Sequence, residues 1–398
     1  MIYLDNAATS FPKPKACVRA MEDCMLHYCG NPGRSGHAMS MKTGAKVFEA
    51  RASAARFLGA EDPASVVFTF NATDSLNLAI KGSLKPGGHV VTTSMEHNSV
   101  LRPLKALEQQ GIGTTVVYGD STGRVDPENI RAAIRPETTL VICTHASNVT
   151  GTILPVEQIG QVIEEVREQR RTTAGAGPIR ELRYLIDASQ SAGALDVSVE
   201  TLGADLVAMP GHKGLLGPLG TGLLYVKPGC HLTTLKEGGT GTASRDLRQP
   251  LDLPERYESG TLNAPALIGL GASIETVERL GWEQIRAHEL RLIRRLEGKL
   301  RNMDRVILYG PDHPEEKMGL VAFNIDGMDC EEVGEALNQC GIAVRAGFHC
   351  AGLAHKTIGT ADTGCVRISV GPSNSIREME IAADVIHRIA KESQTRLL

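Results

Sequence analysis

Lys213 lies in PGHKGLLGPLGTG, a glycine-rich turn between two apolar runs. A surface lysine has no need of such close backbone packing, whereas an amine that must meet a carbonyl carbon in a shaped pocket does. The order G-x-x-x-x-G-K-[ST] of a phosphate loop is absent, so nucleotide hydrolysis is discounted. Asp187 closes the apolar run YLIDAS, where an unpaired carboxylate is costly to bury and needs a cation or a donor such as a pyridinium N–H. Gln190, three residues on, is placed to bond a ring hydroxyl. Capping a helix is the plainer role for a lone Asp at that place, so its assignment rests on the whole set. Thr73 and the amides after Asn71 open a helix, where unpaired N–H groups and the helix dipole favour a phosphate. A cap without ligand is the rival there. His97 also follows an apolar run and would stack on a ring and pass protons, against the plainer role of a structural histidine. Together these groups suit one anionic, aromatic cofactor.

A second set lies near the C-terminus, in VRAGFHCAGLAHKTIGTADTGCVRISVGPSN. Cys350 sits in a loop rich in Gly, His and Thr, flanked by Arg345 and Arg367, with His349 and His355 near it in sequence. Cationic neighbours favour thiolate and a loop gives access, which marks a reactive thiol; Cys143 and Cys365, embedded in apolar runs, read as structural. Arg367 can grip a substrate carboxylate with two parallel hydrogen bonds, and Arg345 can assist. Cys24, His27 and Cys29 hold only half the donors of a metal site, with no second pair at ligand spacing; helix packing is their expected role, and no metal is expected.

These residues need a scaffold that gathers strand ends. Apolar runs beginning at Val66, His89, Thr114, Leu140, Tyr184, Asp205 and Gly222 alternate with segments of helical periodicity, such as 43–58, 99–110 and 156–170. That alternation predicts an α/β fold with a mainly parallel seven-stranded sheet, in which ligands bind at the carboxyl ends of the strands. After Thr261 the pattern changes to long charged helices over 264–301, strands near Val321 and Val344, and a final helix over 374–389. The expected division is a large domain over 16–262 and a smaller α+β domain over 263–398 that also takes in residues 1–15. The stretch 170–180, RRTTAGAGPIR, reads as a surface loop.

The bulk properties narrow the class further. A hydrophobic content of 42% and a charged content of 22% are those of a globular protein. A net charge of −4 gives no long-range attraction to nucleic acid or an anionic membrane. The N-terminus shows neither the basic region nor the apolar stretch of a secretory signal, and no apolar run is long enough to span a bilayer, so a cytoplasmic protein is expected. The nine scattered cysteines suit reduced thiols.

Eight segments in order, LDNAAT, NATDSLNLAIKG, MEHNSVLRP, SNVTG, DASQSAG, GHK, ESGTLN and RAGFHC, resemble the cysteine desulfurases along nearly the whole chain. These belong to the class V aminotransferase group of pyridoxal-phosphate enzymes, with the aspartate-aminotransferase-like (type I) fold. The resemblance implies pyridoxal 5'-phosphate held on Lys213, stacked by His97, with Asp187 on the ring nitrogen and Gln190 on the ring hydroxyl. It implies phosphate contacts from Ala72, Thr73 and His212, and from Thr261 across a homodimer interface that GGTGTAS would line. Asn148 and Arg367 would hold the carboxylate of L-cysteine, and Cys350 would take its sulfur as a persulfide, releasing alanine. The short span from Cys350 to Arg367 resembles members that pass sulfur to a separate acceptor protein. One departure is Pro210, where SGHK is common: proline offers neither hydroxyl nor N–H, so His212, Thr240, Thr242 or nearby amides would have to compensate. A selenocysteine lyase, another class V aminotransferase and a non-catalytic cofactor-binding scaffold remain the alternatives.

Overall fold

The structure is a computed structural model that describes residues 1–33, 36–174, 180–242 and 244–396. All seven apolar runs form strands of one sheet, in the order Val66–Thr69, Gly222–Val226, Leu206–Pro210, Arg183–Asp187, Thr138–Thr144, His89–Thr93, Gly113–Val117. The last five of these run parallel, while Gly222–Val226 is antiparallel to both its neighbours. Because side chains alternate across a strand, Val141, Cys143, Tyr184 and Ile186 enter one apolar core and Leu140, Ile142 and Leu185 the other. Helices cover both faces, which explains runs of Val, Ile and Leu without polar alternation.

A second sheet of four strands runs Arg345–Gly347, Cys365–Ser369, Leu320–Ile325, Val306–Tyr309, all antiparallel. It packs with helices Trp282–Leu300 and Ile376–Arg396 in a core of its own. Ile2–Tyr3 pairs in parallel with Ile342–Ala343 as a separate two-stranded sheet, and a bridge from Asp5 to Ser369 ties the chain's start to the four-stranded one. Helix Ala264–Leu280 packs on helices Lys15–His27 and Ala38–Phe57, and its Leu267, Leu270 and Ile274 share the core of the large sheet.

One expectation is corrected. Residues 170–174 continue the helix Val156–Ala174 rather than opening a loop, because Arg170 bonds the carbonyls of Arg135 and Thr138, and Arg171 pairs with Glu164 and Glu168. The rest of that stretch, 175–179, lies outside the described residues. No described helix is long and apolar enough to cross a membrane, and all nine cysteines are free thiols.

Candidate active site

A cleft opens over the carboxyl ends of the parallel strands, where open α/β sheets bind their ligands. Ala72, Thr73, His97, Asn148, Asp187, Gln190, His212, Lys213, Arg345, Cys350 and Arg367 all line it. Thr261 is exposed beside Glu258 in a separate groove. Thr240 and Thr242 bond each other and do not line the cleft, whereas His212 does.

The floor is built by backbone-on-backbone packing. A Cβ on Gly214 would lie 2.0 Å from the Ala192 carbonyl, and one on Gly193, at φ 96°, would lie 2.3 Å from the Gly214 carbonyl. Only glycine permits this contact, which clamps the Lys213 turn against the segment that follows Asp187. The chain's start clamps the same turn: the Ser10 N–H and the Lys13 ammonium donate to the His212 carbonyl at 3.0 and 2.8 Å. Burial lowers the Lys213 ammonium to about 8, with the Asp187 carboxylate opposing the fall and Arg367 and Arg345 adding to it. Asp187, 2% exposed, accepts from the Ser189 N–H at 2.9 Å.

The phosphate end has unspent donors. Asn71 caps the helix Ala72–Ser83 through the Asp74 N–H, and the Ala72 and Thr73 amides have no acceptor among the described residues. The buried His212 Nδ1 also lacks a partner. Thr73 is linked to the ring-stacking candidate, since its hydroxyl meets Ser99 Oγ at 2.8 Å and Ser99 meets His97 Nδ1 at 2.9 Å. The Ser99 N–H donates to that same nitrogen, so the hydrogen-bond pattern assigns the ring proton of neutral His97 to Nε2. Burial lowers the pKa of His97, although the Asp187 carboxylate works the other way. These unpaired donors, the buried carboxylate and the lysine fit a phosphorylated pyridine.

At the other end, register places Arg345 directly across from Arg367. Like charges opposite one another destabilise an antiparallel pair unless an anion lies between or beside them. Arg367 is 1% exposed; it donates to the Asn148 carbonyl at 2.7 Å and to Asp5 at 2.9 Å, and its Nε has no partner among the described residues. Asp5 was missed by the sequence reading, although it stands in the LDNAAT segment. Asn148 spends its amide N–H on the His349 carbonyl at 2.7 Å.

Cys350 is exposed, and Arg345 Nη2 stands 4.0 Å from its Sγ. Its segment is not the simple loop expected. His349 and Cys350 both take left-handed φ, 49° and 57°, a conformation that costs non-glycine residues on the order of 1–3 kcal/mol each. The Asn98 N–H holds the Cys350 carbonyl at 2.8 Å, and helix Gly352–Thr357 follows. The tight turn turns the thiol toward the cleft while the backbone is pinned from the large sheet's side. His349 and His355 are buried; His349 contacts Arg345 and Cys365, and His355 contacts Thr360, with no hydrogen bond from either ring to Cys350. Burial takes His349 down to about 3, so it is a poor proton acceptor for that thiol.

The model of the class V aminotransferase family matches residues 2–381. The chain is 36% identical over 397 residues to a probable cysteine desulfurase of Methanothermobacter thermautotrophicus, covering 98% of this chain and 94% of that one. It is 31% identical to a cysteine desulfurase of Haloferax volcanii, covering 97% and 88%. Among solved structures it is similar to the apo cysteine desulfurase of Thermococcus onnurineus, with TM-score 0.89, 34% identity, and 98% and 95% coverage. A family match over residues 2–381, with sequence identity and a fold shared over nearly the full length, places this chain in the cysteine desulfurase family of class V aminotransferases.

Proposed function

We propose that the protein is a pyridoxal-phosphate-dependent cysteine desulfurase that moves sulfur from L-cysteine to Cys350 and releases L-alanine. The observation that carries the reading is the cleft itself, which brings Lys213, Asp187, the Arg345–Arg367 pair and the exposed Cys350 together. Bound pyridoxal phosphate supplies the electron sink that makes the substrate's Cα and Cβ able to give up and take protons. Ala72, Thr73 and His212 would hold its phosphate, Asp187 its ring nitrogen, Gln190 its hydroxyl and His97 its face.

The chain's own groups divide the remaining work. Lys213 Nζ, whose pKa is lowered to about 8, sheds its proton close to neutral pH and can bond a carbonyl carbon, then carry protons at the same atom. Arg367, with Asn148 and Arg345, holds the substrate carboxylate and so aims its side chain toward Cys350. The Cys350 thiolate attacks the substrate sulfur; the S–S bond forms as the Cβ–S bond breaks, and protons quench the electron pair left at Cβ to give alanine. The persulfide then passes to a thiol of an acceptor protein in a reducing, cytoplasmic setting, as a supply for iron–sulfur cluster assembly would require. Incubation with L-cysteine and a thiol reductant tests the whole: alanine and sulfide should appear in equal amounts, and production of pyruvate or a transaminated product instead would reject it.

The site is completed by a second copy of the chain. Thr261 is exposed, and Val18, Met25, Leu26, Met41 and Phe48 present an apolar surface on helices Lys15–His27 and Ala38–Phe57. Sedimentation should find a dimer at assay concentration; a fully active monomer would exclude this arrangement.

Two further outcomes follow from the site's electrostatics. Reconstitution of the apoprotein with pyridoxal phosphate should quicken as pH rises, reach half its plateau near the Lys213 value of about 8, and level off above it, because only the neutral amine is nucleophilic. A rate that stays flat from about pH 6 to about pH 10 would contradict the assignment. Arg367→Lys keeps a charge beside Asp5 but loses the planar fork, so KM for L-cysteine should rise roughly 10- to 100-fold with kcat changed far less. Steady-state kinetics at saturating cofactor check this.

A further inference from the structure

In and behind the Cys350 turn lie His349, which also lines the cleft, His355 and Cys365, 4%, 0% and 0% exposed, with no part in the chemistry assigned above. Their donor atoms all fall within 4.8 Å of one another, the one such cluster of three found among the described residues. The hydrogen bonds account for one ring nitrogen of each histidine. His349 Nε2 faces the Arg345 carbonyl at 3.4 Å, which leaves Nδ1 as its free acceptor, 4.0 Å from Cys365 Sγ. His355 Nδ1 bonds Thr360 Oγ1 at 2.7 Å, while its buried Nε2 has no hydrogen-bond partner among the described residues. A fully buried, unpartnered ring nitrogen is costly and asks for a ligand. Two imidazoles whose other nitrogens meet a carbonyl and a hydroxyl, beside one thiol, have the ligand types and outer contacts of a thiophilic-metal site.

We infer that His349 Nδ1, His355 Nε2 and Cys365 Sγ form a binding site for Zn2+ or a cation of similar softness. Zinc bonds of about 2.0–2.1 Å to nitrogen and about 2.3 Å to sulfur set donors roughly 3.3–3.6 Å apart, so the cluster closes by about 1 Å, shared among three side-chain torsions. Binding exchanges the Cys365 S–H proton for the metal. The ion ties three separate elements together: the turn at His349, the helix Gly352–Thr357 and the strand Cys365–Ser369. Cys350 neighbours the site in sequence without being a ligand. Cys24, His27 and Cys29, the donors that sequence spacing drew attention to, are not a cluster of this kind.

The test uses Zn2+ alone on chelator-treated holoprotein carrying Cys350→Ser, which removes the accessible sulfur-carrying thiol. One ion per chain should remain after dialysis and raise the thermal midpoint. Adding Cys365→Ser or His355→Gln should cut retention at least tenfold and erase that rise, and Thr360→Val should weaken binding roughly 10- to 100-fold. X-ray absorption at the zinc edge guards against a variant that fails to fold: a first shell of one sulfur and two nitrogens supports the site. A shell with two sulfurs would place the ion at Cys24 and Cys29 and overturn the inference. So would absence of zinc retention, or retention indifferent to both substitutions.

Discussion

Cys350→Ser is expected to stop sulfur transfer, lowering alanine formation from L-cysteine by at least ~10³-fold while the cofactor spectrum of the resting protein stays unchanged. Serine keeps the shape of the side chain but offers no polarisable nucleophile for sulfur. Cys350 is exposed in the cleft with Arg345 4.0 Å from its sulfur, while Cys143 and Cys365 are buried and have thiol pKa values pushed upward by burial. A brief exposure to L-cysteine should therefore place one extra sulfur on the Cys350 peptide, read by peptide mass spectrometry. Alanine release at an undiminished rate from the serine variant would defeat the mechanism, even with the cofactor assignment intact. The same variant separates the related activities, since transamination would survive it.

Lys213→Ala should lower turnover by a comparable factor, ~10³ or more, and borohydride should no longer fix pyridoxal phosphate to the chain. Lys213 is bracketed by Asp187 on one side and by Arg345 and Arg367 on the other, and burial has already moved it toward its neutral form. No other lysine lines the cleft. Covalent fixation of cofactor at full occupancy in the alanine variant would show that another amine holds it. The substitution removes an ammonium that has no hydrogen-bond or ion-pair partner among the described residues, so the fold should survive it.

Local chemistry along the chain determined much. Seven β-rich apolar runs separated by helical periodicity were enough to place a mainly parallel sheet, because a strand buried on both faces must be apolar throughout. The polar residues that end those runs had to converge, since parallel strands share one carboxyl edge; hence Thr73, His97, Asn148, Asp187 and Lys213 line one cleft. The glycine at 214, in the turn that carries Lys213, was legible as a close backbone contact, though not with which partner.

Tertiary structure alone decided what depends on pairing between distant segments. The register that sets Arg345 across from Arg367, and the reach of Asp5 over 362 positions to Arg367, have no local signature. The end of the helix at Ala174 was misjudged because side-chain bonds from Arg170 and Arg171, rather than helix propensity, carry its last turn. The turn at His349 and Cys350 takes a backbone conformation that no residue type there announces; the amide of Asn98 and the side chain of Asn148, in segments that follow strands of the large sheet, hold it. Likewise His349, His355 and Cys365 are ordinary residues in sequence, and only folding brings their donor atoms within 4.8 Å and denies one of them a partner. Sequence determines which atoms can do chemistry and roughly which elements carry them, because both are local properties. Distances between those atoms belong to long-range packing, where each contact is set by everything else the core must bury.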